Sequence, residues 1–97
     1  MATRTAVIGA GAMGKGHLRS LASVPSAEVV ALVDPNEETL ASVAAENGVP
    51  STYTDVTSML AAEQPEYAIV ASPVLYHAEQ SIAAFEAGAH VLCEKPL

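Results

Sequence analysis

The sequence predicts an α/β protein: a doubly wound, five-stranded parallel sheet with strand order 3-2-1-4-5. Three observations carry this. Short apolar runs alternate with helix-period segments along all 97 residues. The second run, "EVVALVD" (Glu28 to Asp34), is almost continuously apolar, the habit of a strand buried on both faces of a parallel sheet. Glycines and prolines punctuate the helical segments at Pro25, Gly48, Pro50, Pro65 and Gly88. Such β-α alternation calls for helices on both faces. With right-handed crossovers the first two helices fall on one face and the last two on the other.

The first strand is read over Thr5 to Gly9, "TAVIG", followed by a helix from Ala12 to Ser23 that ends at the turn around Pro25. After the second strand, Asn36 is a helix N-cap, with Glu37 and Glu38 in the first turn where the helix dipole favours negative charge. Leu40, Val43 and Ala44 follow at helical spacing, and Gly48 and Pro50 stop the helix. "STYT" (Ser51 to Thr54) is a short β-prone run, and Asp55 caps a helix over Val56 to Glu63. "YAIVA" (Tyr67 to Ala71) is the fourth strand. A helix from Tyr76 to Ala87 carries Ala78, Ile82 and Phe85 along one stripe, with Gly88 as its C′ residue. "HVLCE" (His90 to Glu94) is the fifth strand.

Composition narrows the function classes. The chain holds four basic and eleven acidic residues, net charge −7, with no basic patch and few aromatics. That argues against nucleic acid and against anionic membranes as partners. No apolar run approaches the roughly 20 residues of a membrane helix, and no signal peptide is evident at the amino end. Cys93 is the one cysteine. It excludes an intrachain disulfide and a cysteine metal cluster, fits a reducing cytoplasm, and reads as a buried strand residue.

A doubly wound sheet binds its ligand at the carboxyl ends of the strands where the order reverses, here between strands 1 and 4. The first of these ends carries Gly9-Ala10-Gly11-Ala12-Met13-Gly14, a G-x-G-x-x-G directly between a strand and a helix. Gly9 permits the tight turn, Gly11 lets a pyrophosphate approach the backbone, and Gly14 lets the helix pack closely. The amides at the helix start then face the phosphates. Asp34 lies twenty residues after Gly14 at the end of strand 2, where a carboxylate takes the ribose hydroxyls of an adenosine; otherwise it only opens the turn at Pro35. Such a carboxylate repels a 2′-phosphate, and no Arg or Lys between Val33 and Glu63 offsets it. NAD is therefore favoured over NADP.

Across the crevice, "ASPVLYH" (Ala71 to His77) places Ser72 as a donor to the cofactor, while His77 in the first turn of helix 4 is either structural or cofactor-lining. His17 reads as a packing or surface residue. Lys95, in the closing "CEKPL", is the one basic residue after Arg19 and lies at the carboxyl end of strand 5. Position alone leaves open whether it is a solvated end-of-strand lysine or a group that polarises a substrate hydroxyl.

Three segments together resemble the N-terminal domain of the glucose–fructose oxidoreductase/inositol dehydrogenase (Gfo/Idh/MocA) family. "VIGAGAMGKGHL" resembles its G-x-G-x-M-G-x-x-H opening, "SPVLYHAEQ" its (S/T)-P-x-x-x-H segment, and "AGAHVLCEKPL" its A-G-x-H-V-x-x-E-K-P segment. The resemblance implies a Rossmann-type sheet and NAD(P)-dependent oxidation or reduction of a sugar, polyol or similar secondary alcohol. It implies that Gly9, Gly11, Ala12 and Met13 line the dinucleotide, with Asp34, Ser72 and His77 around it. It further places Glu94 at the nicotinamide half, makes Lys95 catalytic beside the reacting hydroxyl, and gives a cis Lys95–Pro96 bond. Family members carry a second domain that supplies the substrate pocket. Residues 1–97 are accordingly expected to be one dinucleotide-binding domain, truncated relative to the family, that binds cofactor with little or no turnover alone. Without further strands, strand 5 is an edge that invites self-association. The alternative is a non-catalytic dinucleotide-sensing module, from which Glu94-Lys95-Pro96 separates the enzyme.

Overall fold

Nine elements alternate along the chain in the computed structural model, which describes residues 3–72 and 77–93. They are β1 (Thr3–Ile8), α1 (Ala12–Leu21), β2 (Ala27–Val33), α2 (Glu37–Asn47), β3 (Ser51–Tyr53), α3 (Val56–Glu63), β4 (Tyr67–Val70), α4 (His77–Glu86) and β5 (His90–Cys93). The strands form one sheet, ordered β3-β2-β1-β4-β5, and every neighbouring pair is parallel. This is the doubly wound architecture the sequence predicts.

Alternation along the central strand sorts side chains to two faces. Ala6 and Ile8 join Met59, Leu60, Ala68, Val70 and Ala84 in one cluster, beneath α3 and α4. Val7 joins Leu18, Leu32, Leu40, Val43 and Val49 in the other, beneath α1 and α2. Between Thr5 and Ala6 the partner on β2 jumps from Val29 to Ala31, so Val30 is an extra residue, a bulge. Its consequence is visible in the packing: Val30 and Ala31 both face the α3/α4 cluster, while Val29 lies against the other.

The caps fall where the sequence puts them. Asn36 accepts from the Thr39 amide at 3.0 Å, and Gly48 closes α2 in the left-handed region, φ 66°. Asp55 accepts from the Ser58 amide at 2.8 Å. The boundaries differ at α1, which ends at Leu21 and not at Ser23. There the amides of Ser23 and Val24 donate three residues back, to Ser20 and Leu21, tightening the last turn ahead of Pro25. The Ser23 hydroxyl also donates to the Ser20 carbonyl at 2.9 Å, a local bond that competes with helix.

The stripe on α4 is the larger difference. Ile82 is 57% and Phe85 75% exposed, and Ala78 is exposed as well. The residue α4 turns to the sheet is Ala84, fully buried, with Ala83 packed beside it. Small side chains let the helix lie close on β4 and β5, so the bulky stripe points outward.

At the amino end of β1, Arg4 binds the carboxyl end of α3. Its guanidinium pairs with Glu63 at 3.2 Å and donates to the Glu63 backbone carbonyl, where the helix leaves carbonyls unpaired. Tyr53 donates its hydroxyl to the same carboxylate, and that bond pushes the tyrosine pKa up. Arg4 is thereby tied down at the edge opposite the strand carboxyl ends.

Candidate functional site

The loop between β1 and α1 is built on contacts that side chains would forbid. Gly9 has φ +108°, and a Cβ there would come 2.8 Å from both the Ala71 carbonyl carbon and the Ser72 nitrogen. The loop therefore sits directly on the β4–α4 connection. A Cβ on Gly14 would overlap the Gly9 carbonyl oxygen and lie 2.8 Å from the Gly9 carbonyl carbon, so α1 can approach the turn only with glycine in its first turn. At Gly11 the situation is reversed, for a Cβ would meet nothing within 4 Å. Gly9 and Gly14 are required by the protein's own packing. The bareness of Gly11 keeps room outside it.

Gly11 is also the N-cap of α1, with φ −76° and ψ −163°, and it supplies no side-chain cap. Helix geometry leaves the first-turn amides, Ala12 and Met13 among them, without intrahelical partners. No acidic residue lies in that turn. By contrast, α2 has Asn36 at its cap and Glu37 and Glu38 in its first turn, and α3 has Asp55. On this edge of the sheet α1 offers its positive end to an outside anion.

Asp34 joins this loop to the next. Its Oδ2 accepts from the Ala10 amide at 2.9 Å and its Oδ1 from the Asn36 amide at 2.8 Å. The second bond is an Asx turn around Pro35; the first ties the glycine loop to the end of β2. An ionised carboxylate has about four acceptor directions, so about two remain for a ligand diol. Asp34 thus opens the turn and faces the crevice at once.

A cleft of about 550 Å³ runs over the carboxyl ends of the strands, lined by Gly9 and Asp34, by Asp55 and Thr57 at the start of α3, and by Ser72, Glu79 and Gln80 on the far side. Its floor is apolar, from Ile8 and Val33. The structure brings together Gly9, Asp34 and Ser72 there, with Gly11 at the N-cap and Gly14 in the first turn of the adjoining α1. Ser72, read as a donor to the cofactor, donates its hydroxyl to the Gln80 side-chain carbonyl, which holds it against α4. His77 is the first residue of α4, and His17 is half-buried on α1. Glu94, Lys95 and the Lys95–Pro96 bond lie outside the described residues.

Among the polar cleft residues the sequence did not single out are Asp55, taken only as a cap, Thr57, Glu79 and Gln80. The signal for Asp55 was its place just past strand 3, on the same edge as Asp34. Gln80 was legible only as one turn past His77. Among the described residues no group of three or more His, Cys, Asp or Glu is placed to hold a metal ion, and no helix is long and apolar enough to cross a membrane.

The open backbone at Gly11, the carboxylate at the end of β2 and the apolar floor of the cleft are compatible with a dinucleotide, and comparison with known proteins agrees. The family model "Oxidoreductase family, NAD-binding Rossmann fold" matches residues 3–97. Inositol 2-dehydrogenase of Streptomyces avermitilis is 46% identical over 94 residues, covering 95% of this chain and 27% of that protein. The 4-carboxy-2-hydroxymuconate-6-semialdehyde dehydrogenase of a Sphingobium species is 39% identical, covering 97% and 30%. Among solved structures, myo-inositol dehydrogenase of Lactobacillus casei in complex with NAD(H) and myo-inositol superposes with TM-score 0.91 at 31% identity, over all of this chain and 29% of that one. The chain spans no more than 30% of the length of these relatives. From its strand-bound glycine turn to its five-stranded sheet, this chain belongs to the Gfo/Idh/MocA oxidoreductase family and carries that family's NAD-binding Rossmann fold.

Proposed function

We propose that residues 1–97 act as the nicotinamide-dinucleotide-binding domain of an oxidoreductase whose substrate is a sugar, polyol or related secondary alcohol. The observation that carries this is the glycine turn: packing demands Gly9 and Gly14, while Gly11 leaves the N-cap of α1 without a side chain beside the cleft-lining Gly9 and Asp34. The diphosphate lies against Gly11 and the first-turn amides of α1, with Ala12 and Met13 in that turn. Asp34 accepts from the adenosine ribose hydroxyls through the oxygen directions its backbone partners leave. Ser72 and His77 flank the crevice from the β4 side. Glu94 sits at the nicotinamide half, and Lys95 is the group that holds the reacting hydroxyl. Bound NAD supplies a reversible hydride acceptor; the chain's own residues bind and orient it. The inositol dehydrogenases among the relatives support the secondary-alcohol substrate. A cytoplasmic location, where such cofactors are held, is part of this proposal.

Calorimetric titration of the chain tests it. NADH is expected to bind at one site per chain, at least about tenfold tighter than NADPH, equivalent to about 1.4 kcal/mol. Absence of NADH binding sinks the proposal, and tighter NADPH binding overturns the role of Asp34.

Self-association belongs to the same proposal. Among the described residues β5 is an edge strand, and Leu92 on it is exposed, as are Ile82 and Phe85 on α4. An unpaired edge with apolar neighbours recruits another strand. Sedimentation velocity is expected to show a concentration-dependent dimer that Phe85→Glu disperses; a monomer at every concentration rules it out.

A further inference from the structure

We infer that Asp55 is a second specificity-determining residue of the dinucleotide cleft, acting beside Asp34 to reject a 2′-phosphate. The inference rests on the dinucleotide reading above and adds a residue to it.

Asp34 and Asp55 stand on adjacent loops. Val33 pairs with Tyr53 across β2 and β3, the Asp34 amide donates to the Tyr53 carbonyl at 3.1 Å, and both aspartates line the cleft. A ribose held by Asp34 therefore has Asp55 on the neighbouring strand end. The position is one where a phosphate would otherwise be welcome. Asp55, Val56 and Thr57 bring the amino end of α3 into the cleft, and a helix amino end favours anions. Asp55 occupies that end itself. Its Oδ2 accepts from the Ser58 amide at 2.8 Å and its Oδ1 from the Ser58 hydroxyl at 2.8 Å. These bonds hold the carboxylate in place and lower its pKa, so at neutral pH it is charged and fixed.

Nothing cationic among the described residues offsets it. Arg4 is bound to Glu63 at the opposite edge. Lys15 and Arg19 are exposed on α1 and do not line the cleft. A 2′-phosphate entering beside Asp34 thus meets two fixed negative charges and a helix end already neutralised. An unphosphorylated ribose meets two acceptors.

The test uses Asp55→Asn. Asparagine caps a helix as well as aspartate does, and its side-chain oxygen can still accept from the Ser58 amide, so charge changes while the fold is kept. Glu46→Gln, on the exposed face of α2, makes the same change in net charge away from the cleft. Calorimetric titration of wild type and both variants with NADH and NADPH reads the outcome. We expect Asp55→Asn to bind NADPH about tenfold tighter, with NADH changed less than about twofold, and the gain to shrink as salt is raised. Glu46→Gln is expected to leave both affinities where they were. An unchanged NADPH-to-NADH ratio in Asp55→Asn, or an equal gain in Glu46→Gln, overturns the role of Asp55 while leaving NAD binding intact. Failure of wild type to bind NADH overturns the dinucleotide reading and this inference with it.

Discussion

Gly14→Ala is expected to lower the melting temperature of the chain by about 15 °C, corresponding to about 3 kcal/mol in a domain of this size. Two effects of opposite sign compete at this position. Alanine is the better helix former by roughly 1 kcal/mol, and Gly14 lies in the first turn of α1. Helix propensity alone therefore predicts a more stable protein. Against it stands the overlap of the new Cβ with the Gly9 carbonyl. Gly9 cannot retreat: its amide donates to the Val33 carbonyl at 2.6 Å, and its own Cα face is pressed on Ala71 and Ser72. The helix must move instead, and Leu18, 2% exposed beneath it, loses its seat against Val7 and Leu32. Overpacking wins over propensity because the obstructing atom is backbone held from two sides. Thermal unfolding followed by circular dichroism decides it, and a melting temperature within about 3 °C of wild type would mean that the loop yields easily.

Gly11→Ala is expected to do the opposite: leave stability within about 1 kcal/mol and weaken NADH binding by about 100-fold, or about 2.7 kcal/mol. The backbone at Gly11, φ −76°, suits any residue, and the new methyl meets no protein atom within 4 Å. The protein therefore has no reason of its own to exclude it. A diphosphate resting on that backbone does, because the methyl takes the contact distance between phosphate oxygen and amide. Parallel thermal melts and NADH titrations separate the two effects. Wild-type affinity in this variant would place the diphosphate elsewhere. The pair of glycine variants, three residues apart, should divide folding from binding almost completely.

The sheet order, the two helical faces and both side-chain caps were legible in the sequence, because each rests on local chemistry: continuous apolar runs, Asn36 and Asp55 before helices, Gly48 after one. The glycine loop and Asp34 were legible for the same reason, being spaced along the chain as a strand–turn–helix requires. What escaped was decided between elements. The α4 stripe has helical spacing, yet Ile82 and Phe85 face out because Ala84 gives the closer fit to the sheet. The bulge at Val30 leaves no mark in a run of apolar residues. Asp55 reads as a cap along the chain, and its place beside Asp34 at the cleft emerges only once β2 and β3 lie side by side.

Asp34 braces the glycine loop and the Pro35 turn through Oδ2 and Oδ1. Any attempt to re-engineer this fold toward the phosphorylated coenzyme by exchanging that aspartate for a residue without a side-chain acceptor would remove a girder along with the negative charge. A successful redesign has to restore the lost brace from a neighbouring side chain, and would do better to begin one loop away.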